Sequence, residues 1–235
     1  MKLSPQASPK DFPLPLKAVL FDLDGTLLDT APDLVDATNR TLSELGMAAV
    51  DAEIIRSYIG GGIAVLLQRA LAATLKREPD MEIYQRGLPL FEKHYARVML
   101  NQSRPFPGAV EGLQKMRAQG LHLACVTNKS ERFTLPLLEA TDLRDFFELV
   151  VSGDSVPKKK PDPLPLTHAC AHFGAKPHEA LLIGDSPLDT QAARAAGCHV
   201  FCVPYGYHQG RDVRELDCDA IVATLKDAAD LVIKA

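Results

Sequence analysis

A doubly wound, mostly parallel α/β sheet interrupted by one inserted helical domain is the architecture that this sequence predicts. Three observations lead to it. Six short apolar runs, each closed by a polar or glycine-bearing turn, have the unbroken hydrophobicity of strands buried on both faces. Helical spacing lies between them, as an alternating open sheet requires. One long stretch, 31–104, offers helical spacing only, so it is an insertion after the first strand and not another alternating unit.

Taken in order, residues 1–15 carry Pro5, Pro9, Pro13 and Pro15 among polar residues and are expected to be a poorly ordered leader. The first strand covers 16–21, and the α/β core comprises 16–30 and 105–235. Within the insertion, Leu34, Thr38, Leu42 and Leu45, then Ile63, Leu66, Leu67, Ala70 and Leu71, fall on helix faces. The chain returns through Pro105-Phe106-Pro107-Gly108, a turn-rich string. A helix over 109–119 places Val110, Leu113 and Met116 on one face and stops at Gly120. Strands follow at 121–127, Leu149–Val151 and 181–183; an alanine-rich helix at 189–196 ends at Gly197; strands at 200–203 and 220–222 complete the sheet.

Composition narrows the function. The chain has 235 residues, 46% of them hydrophobic, enough for one good core and a smaller appended unit. A net charge of -4 lacks the basic excess of nucleic-acid binders, so no nucleic-acid partner is expected. Five cysteines without a C-x-x-C pair predict free thiols in a reducing compartment. With no apolar run of membrane-span length and no signal-peptide core, the sequence predicts a cytoplasmic protein without membrane contact, a monomer or a homodimer.

The string Phe21-Asp22-Leu23-Asp24-Gly25-Thr26 ends the first strand and puts two carboxylates on one side of an extended chain. At the carboxyl edge of such a sheet, Asp22 can attack phosphorus while Asp24 gives and then takes a proton. Standing alone, the string is equally an acidic turn. Gly184-Asp185-Ser186-Pro187-Leu188-Asp189 brings further carboxylates to another strand end, where a hard cation such as Mg²⁺ relieves their repulsion, although it also reads as a helix cap. In Val126-Thr127-Asn128-Lys129, the Thr127 hydroxyl and following N–H groups can meet phosphoryl oxygens, or merely cap a helix. Among Lys158, Lys159 and Lys160, otherwise a solvated run, Pro161 holds Lys160 extended and favours it as the inward cation.

These four motifs at four strand ends resemble the haloacid dehalogenase superfamily from Lys17 onward, and within it the phosphoglycolate phosphatases. The strings 21–34, Val126-Thr127-Asn128-Lys129, Lys160-Pro161-Asp162-Pro163 and Pro204-Tyr205-Gly206-Tyr207 carry the likeness. The resemblance implies a Rossmann-like core with a helical cap at 31–104. It implies a Mg²⁺-dependent phosphomonoester hydrolase acting through an aspartyl phosphate, with 2-phosphoglycolate as the expected substrate. Asp22 would be the nucleophile, Asp24 the acid and base, and Asp22, the Asp24 carbonyl and Asp185 the metal ligands. Thr127, Asn128 and Lys160 would hold the phosphoryl group, and Asp189 would orient a metal-bound water or the lysine. Leu188 and His208 depart from the residues usual at their positions.

For specificity, the backbone of Gly60, Gly61 and Gly62 is a candidate cradle for a small carboxylate, with Arg69 or Arg56 as the added cation; a plain glycine hinge is the alternative. His168 and His172 have the spacing of a zinc pair but lack the surrounding pattern and read as a helix face. Two other functions remain open: a sugar phosphomutase of the same superfamily, and a binding protein that kept the fold without turnover.

Overall fold

The structure, a computed structural model, describes residues 12–235. Its strands are β1 (Leu14–Leu16), β2 (Ala18–Phe21), β3 (Leu28–Asp29), β4 (Arg104–Pro105), β5 (His122–Val126), β6 (Leu149–Val151), β7 (Ala180–Gly184), β8 (His199–Cys202), β9 (Ala220–Ile221) and β10 (Val232–Lys234). The helices are α1 (Ala31–Glu44), α2 (Ala52–Arg56), α3 (Ile63–Leu75), α4 (Met81–Val98), α5 (Ala109–Ala118), α6 (Glu131–Ala140), α7 (Leu164–His172), α8 (Pro187–Ala196) and α9 (Leu225–Ala228).

Six strands form one parallel sheet in the order β6-β5-β2-β7-β8-β9. That is the doubly wound arrangement, with β2 at the point where the strand order reverses. Alternation along β2 splits the core into two layers: Val19 and Phe21 pack with α5, α6 and α9, whereas Ala18 and Leu20 pack with α7 and α8. All four side chains are 0% exposed, which is why the strand reads as a continuous apolar run.

Two small pairings were not anticipated. Residues 1–11 of the expected leader lie outside the described residues, but Leu14–Leu16 is a strand paired in parallel with Val232–Lys234. Leu14 and Leu16 are buried with Pro15 turned outward, an edge position where a missing N–H is tolerated. The ribbon of β3 with β4 joins the points where the chain leaves the sheet unit and comes back. Beside it, the buried Asp33 carboxylate accepts from the Gln102 and Ser103 backbone N–H groups and the Ser103 hydroxyl.

Helices α1 to α4 enclose a third apolar cluster of their own, around Leu42, Ile55, Leu67 and Phe91. Gly87 lets α4 approach α3: a Cβ there would stand 3.3 Å from Leu67. This unit reaches the sheet unit through Tyr95 on α4, whose ring meets Phe133 on α6 edge-on at 5.0 Å, a contact worth about 0.5–1.5 kcal/mol beyond area burial. Helix α8 begins at Pro187, two residues ahead of the expected start, because Ser186 caps it, proline suits its first position and Asp189 closes the capping box.

Candidate active site

The carboxyl ends of β2, β5 and β7, and the loop beyond β6, converge on one buried cluster of charges. Asp22 follows β2, Thr127 follows β5, Lys160 lies beyond β6, and Asp185 and Asp189 follow β7. Lys160 Nζ donates to Asp22 Oδ1 at 2.8 Å, Asp189 Oδ1 at 2.7 Å and the Val126 carbonyl at 2.8 Å. All three donors of the ammonium are thereby used. Burial opposes its charge, but Asp189 and Asp22 more than offset this and hold the lysine protonated.

One ammonium faces three carboxylates. Oxygen atoms of Asp22, Asp185 and Asp189 lie within 4.8 Å of one another, all buried. The excess negative charge favours protonation of the cluster's carboxylates. Burial, reinforced by Asp189 and Asp24 and opposed by Lys160, pushes Asp22 up to about 6. Burial followed by repulsion from Asp189 and Asp22 drives Asp185 well above the usual carboxylate range.

The donor set fits a hard divalent cation, which takes carboxylate and carbonyl oxygens. Asp189 is the least available ligand: Oδ1 is held by Lys160, and Oδ2 accepts from the Ser186 N–H and hydroxyl at 3.0 and 2.6 Å. Asp22 and Asp185 remain. Asp185 is wedged in place, accepting the Tyr207 N–H at 2.6 Å and the Thr26 hydroxyl at 3.3 Å. A Cβ on either Gly25 or Gly206 would collide with its carboxylate, and Gly25 also sits at φ +91°.

Asp24 faces a different partner. Its Oδ1 accepts the Thr30 hydroxyl at 2.6 Å, and both oxygens accept from Lys129 Nζ, at 2.8 and 3.0 Å. Lys129 is 3% exposed, and its Nζ stands 4.9 Å from the Tyr95 ring centre. Its burial against Asp24 was not anticipated from the sequence. The available signal was a lysine ending the very string that supplies Thr127.

Thr127 and Asn128 divide their tasks in a way the motif did not predict. The Thr127 hydroxyl accepts the Lys129 N–H at 3.2 Å, leaving its proton free to donate. The Asn128 side chain, expected to hold the phosphoryl group, is instead a clamp: Nδ2 donates to the carbonyls of Gly60 and Lys160, and Oδ1 accepts the Lys160 N–H. Both of its amide protons are occupied, so it presents no free side-chain donor.

A pocket between the two helical and sheet units is lined by Asp24, Leu34, Ile59, Gly60, Gly62, Ile63, Leu66 and Lys129. Its free space is about 10 Å³, roughly one water. Gly60 and Gly62 reach it as expected, whereas Gly61 is turned toward Val65. Arg69 does not: it lies on the exposed face of α3, away from the buried Leu66, Leu67 and Ala70. Arg56 stacks on Tyr207 at 4.8 Å. Leu188 stands near Gly60, within 3.9 Å of a Cβ placed there, and His208 Nε2 pairs with the Val203 carbonyl at 3.0 Å. The five cysteines are free and buried. Among the described residues, no helix is long and apolar enough to cross a membrane.

Comparison with known proteins agrees with this geometry. The sequence model described as haloacid dehalogenase-like hydrolase matches residues 19–203. The phosphoglycolate phosphatase of Nitrosospira multiformis is 60% identical over 223 residues, covering 95% of this chain and 98% of that protein. The phosphoglycolate phosphatase of Thiobacillus denitrificans is 57% identical over 226 residues, covering 96% and 100%. Among solved structures, a predicted phosphoglycolate phosphatase from Haemophilus somnus superposes with a TM-score of 0.86 at 33% identity, covering 91% of this chain and 96% of that one.

Proposed function

This chain belongs to the haloacid dehalogenase-like hydrolase family, and on that premise we propose that it is a phosphatase that hydrolyses 2-phosphoglycolate to glycolate and phosphate. The observation that carries the reading is the meeting of Asp22, Asp185, Asp189 and Lys160 at the strand-order reversal of the sheet. The relatives in Nitrosospira multiformis and Thiobacillus denitrificans, each matched over nearly the whole chain, support the choice of ester.

Asp22 is the nucleophile. Its Oδ1 is held by Lys160, and among the described residues no donor meets its other oxygen, which is free to form the bond to phosphorus as the ester P–O bond breaks. Asp24 protonates the departing alkoxide, then removes a proton from the water that cleaves the aspartyl phosphate, regenerating Asp22. Thr127 donates its free hydroxyl proton to a phosphoryl oxygen. Lys160 orients Asp22 and, by sharing one of its three bonds, stabilises charge on the transferred group.

Mg²⁺, held by Asp22, Asp185 and the Asp24 carbonyl, would supply charge neutralisation between the anionic nucleophile and the anionic ester. Helices α1 to α4 act as a cap. With about 10 Å³ free, the site is shut, so substrate enters when the cap separates and reacts when it closes and excludes water.

The test is phosphate release by the purified chain from a panel of small phosphate esters, with and without Mg²⁺, with Asp22→Asn as control. Release from 2-phosphoglycolate that needs Mg²⁺, is abolished in the variant and requires no bisphosphate activator is the expected result. Absence of release from every ester would refute the reading.

A further inference from the structure

We propose that Lys129 reads the charge of the leaving group: its ammonium, together with the Tyr95 hydroxyl, binds the carboxylate of a substrate whose leaving group is a short hydroxy acid. The inference rests on the reading of Asp22 and Asp24 given above. It gives Lys129 the part of carboxylate-binding cation for which the sequence had offered Arg69 or Arg56.

The pocket borders Asp24, the group that protonates the leaving oxygen, so the leaving group must occupy it. Its other walls are the apolar side chains of Leu34, Ile59 and Leu66 and the backbone at Gly62, where α3 begins. Lys129 is the one cation among the residues lining it. A carboxylate brought into such a space needs a cation and hydrogen-bond donors, because an unpaired buried charge is strongly disfavoured.

Lys129 has one donor beyond its two contacts with Asp24, and it faces the Tyr95 hydroxyl. It carries three N–H groups, and two contacts, at 2.8 and 3.0 Å, are made to the oxygens of Asp24. Beside it, Tyr95 is 0% exposed; Lys129 is the cation facing its hydroxyl, and the hydroxyl proton has no acceptor among the described residues. A buried hydroxyl without an acceptor is uncommon and calls for a ligand or water. A carboxylate would accept from both the ammonium and the phenol, while the methylene between carboxylate and phosphate ester keeps it within reach of this end of the pocket.

The experiment compares kcat/KM for 2-phosphoglycolate with that for 2-hydroxyethyl phosphate, which has a neutral leaving group of nearly the same size. In the wild-type chain the carboxylate ester is expected to be preferred by about tenfold or more, as a site built around a polar group discriminates against its absence. Lys129→Met also disturbs Asp24 and lowers both values, so the ratio is what matters: it should fall by about tenfold or more. Tyr95→Phe deletes only the hydroxyl, keeps the ring, and should lower the ratio several-fold.

An unchanged ratio in Lys129→Met would mean that the lysine serves Asp24 alone and would overturn the proposal, as would a wild-type chain with no preference. If Lys129→Met does not fold, Tyr95→Phe carries the test by itself, and an unchanged ratio there overturns it. Release from neither ester by the wild-type chain would sink the phosphatase reading itself, a distinct result.

Discussion

Lys160 Nζ bridges Asp22 Oδ1 and Asp189 Oδ1, at 2.8 and 2.7 Å, so the proposed nucleophile and the third residue of α8 share one buried ammonium. Lys160→Met keeps most of the side-chain volume and removes the charge, leaving Asp22, Asp185 and Asp189 facing one another. We expect kcat for phosphate release to fall by about two to three orders of magnitude. A coupled phosphate assay checks this, and an unchanged kcat would contradict the role given to Lys160.

Asp22 also makes stability depend on pH. Its value in the folded chain, about 6, lies above the ordinary 3.8. Between these values the folded chain keeps a proton that the unfolded chain releases, so the Asp22 contribution is present below roughly pH 4 and is lost as pH rises through about 6. The loss is on the order of 3 kcal/mol. Asp22→Asn has no such proton, so in metal-free urea unfolding its stability relative to wild type should increase from pH 4 to pH 7. Addition of Mg²⁺ should then raise the wild-type melting temperature at pH 7 and have less effect on the variant. A pH-independent difference would contradict the account.

Gly206→Ala tests the seating of Asp185. The backbone there needs no left-handed conformation, but the new Cβ would collide with the Asp185 carboxylate. Displacing a ligand or its support commonly costs about 10–100-fold in metal affinity. Calorimetric titration with Mg²⁺ should show weakening of that order in a variant that still folds, and undiminished affinity would argue against Asp185 as a ligand.

Asn128→Ala should act mainly on stability. The side chain ties the cap loop at Gly60 to the Lys160 segment through bonds of 3.0, 2.9 and 2.9 Å. Losing them and leaving buried partners unpaired should cost about 2–4 kcal/mol in urea unfolding. A variant as stable as wild type, with a raised KM alone, would instead restore Asn128 as a direct phosphate ligand.

Much of the sheet was legible because strands buried on both faces must be apolar throughout, and 149–151 matches β6 residue for residue. The meeting of Asp22, Lys160 and Asp185 was legible for a related reason: each lies at or beyond the carboxyl end of a strand, and the doubly wound sheet brings those ends together. β1 was hidden by prolines, although the alternation of Leu14 and Leu16 about Pro15 carried its signal. Arg69 and Lys129 show the limit. Helical spacing tells which residues share a face of α3 but not how α3 is rotated over the sheet, so an exposed arginine and a buried lysine could not be ranked until the packing of α3, α4 and α6 was known. The clamping bonds of Asn128 were not legible, because a motif records which side chains recur near a phosphate without recording which of their protons are already engaged.

The central claim is that Asp22 itself receives the phosphoryl group. It is tested most directly by acid-quenching the chain during turnover of 2-phosphoglycolate with Mg²⁺ and locating the added phosphoryl mass by peptide mass spectrometry. The account predicts that mass on the peptide containing Asp22, acid-stable and alkali-labile as an acyl phosphate is, and absent from Asp22→Asn. Phosphate found on another residue, or full turnover by Asp22→Asn, would contradict it.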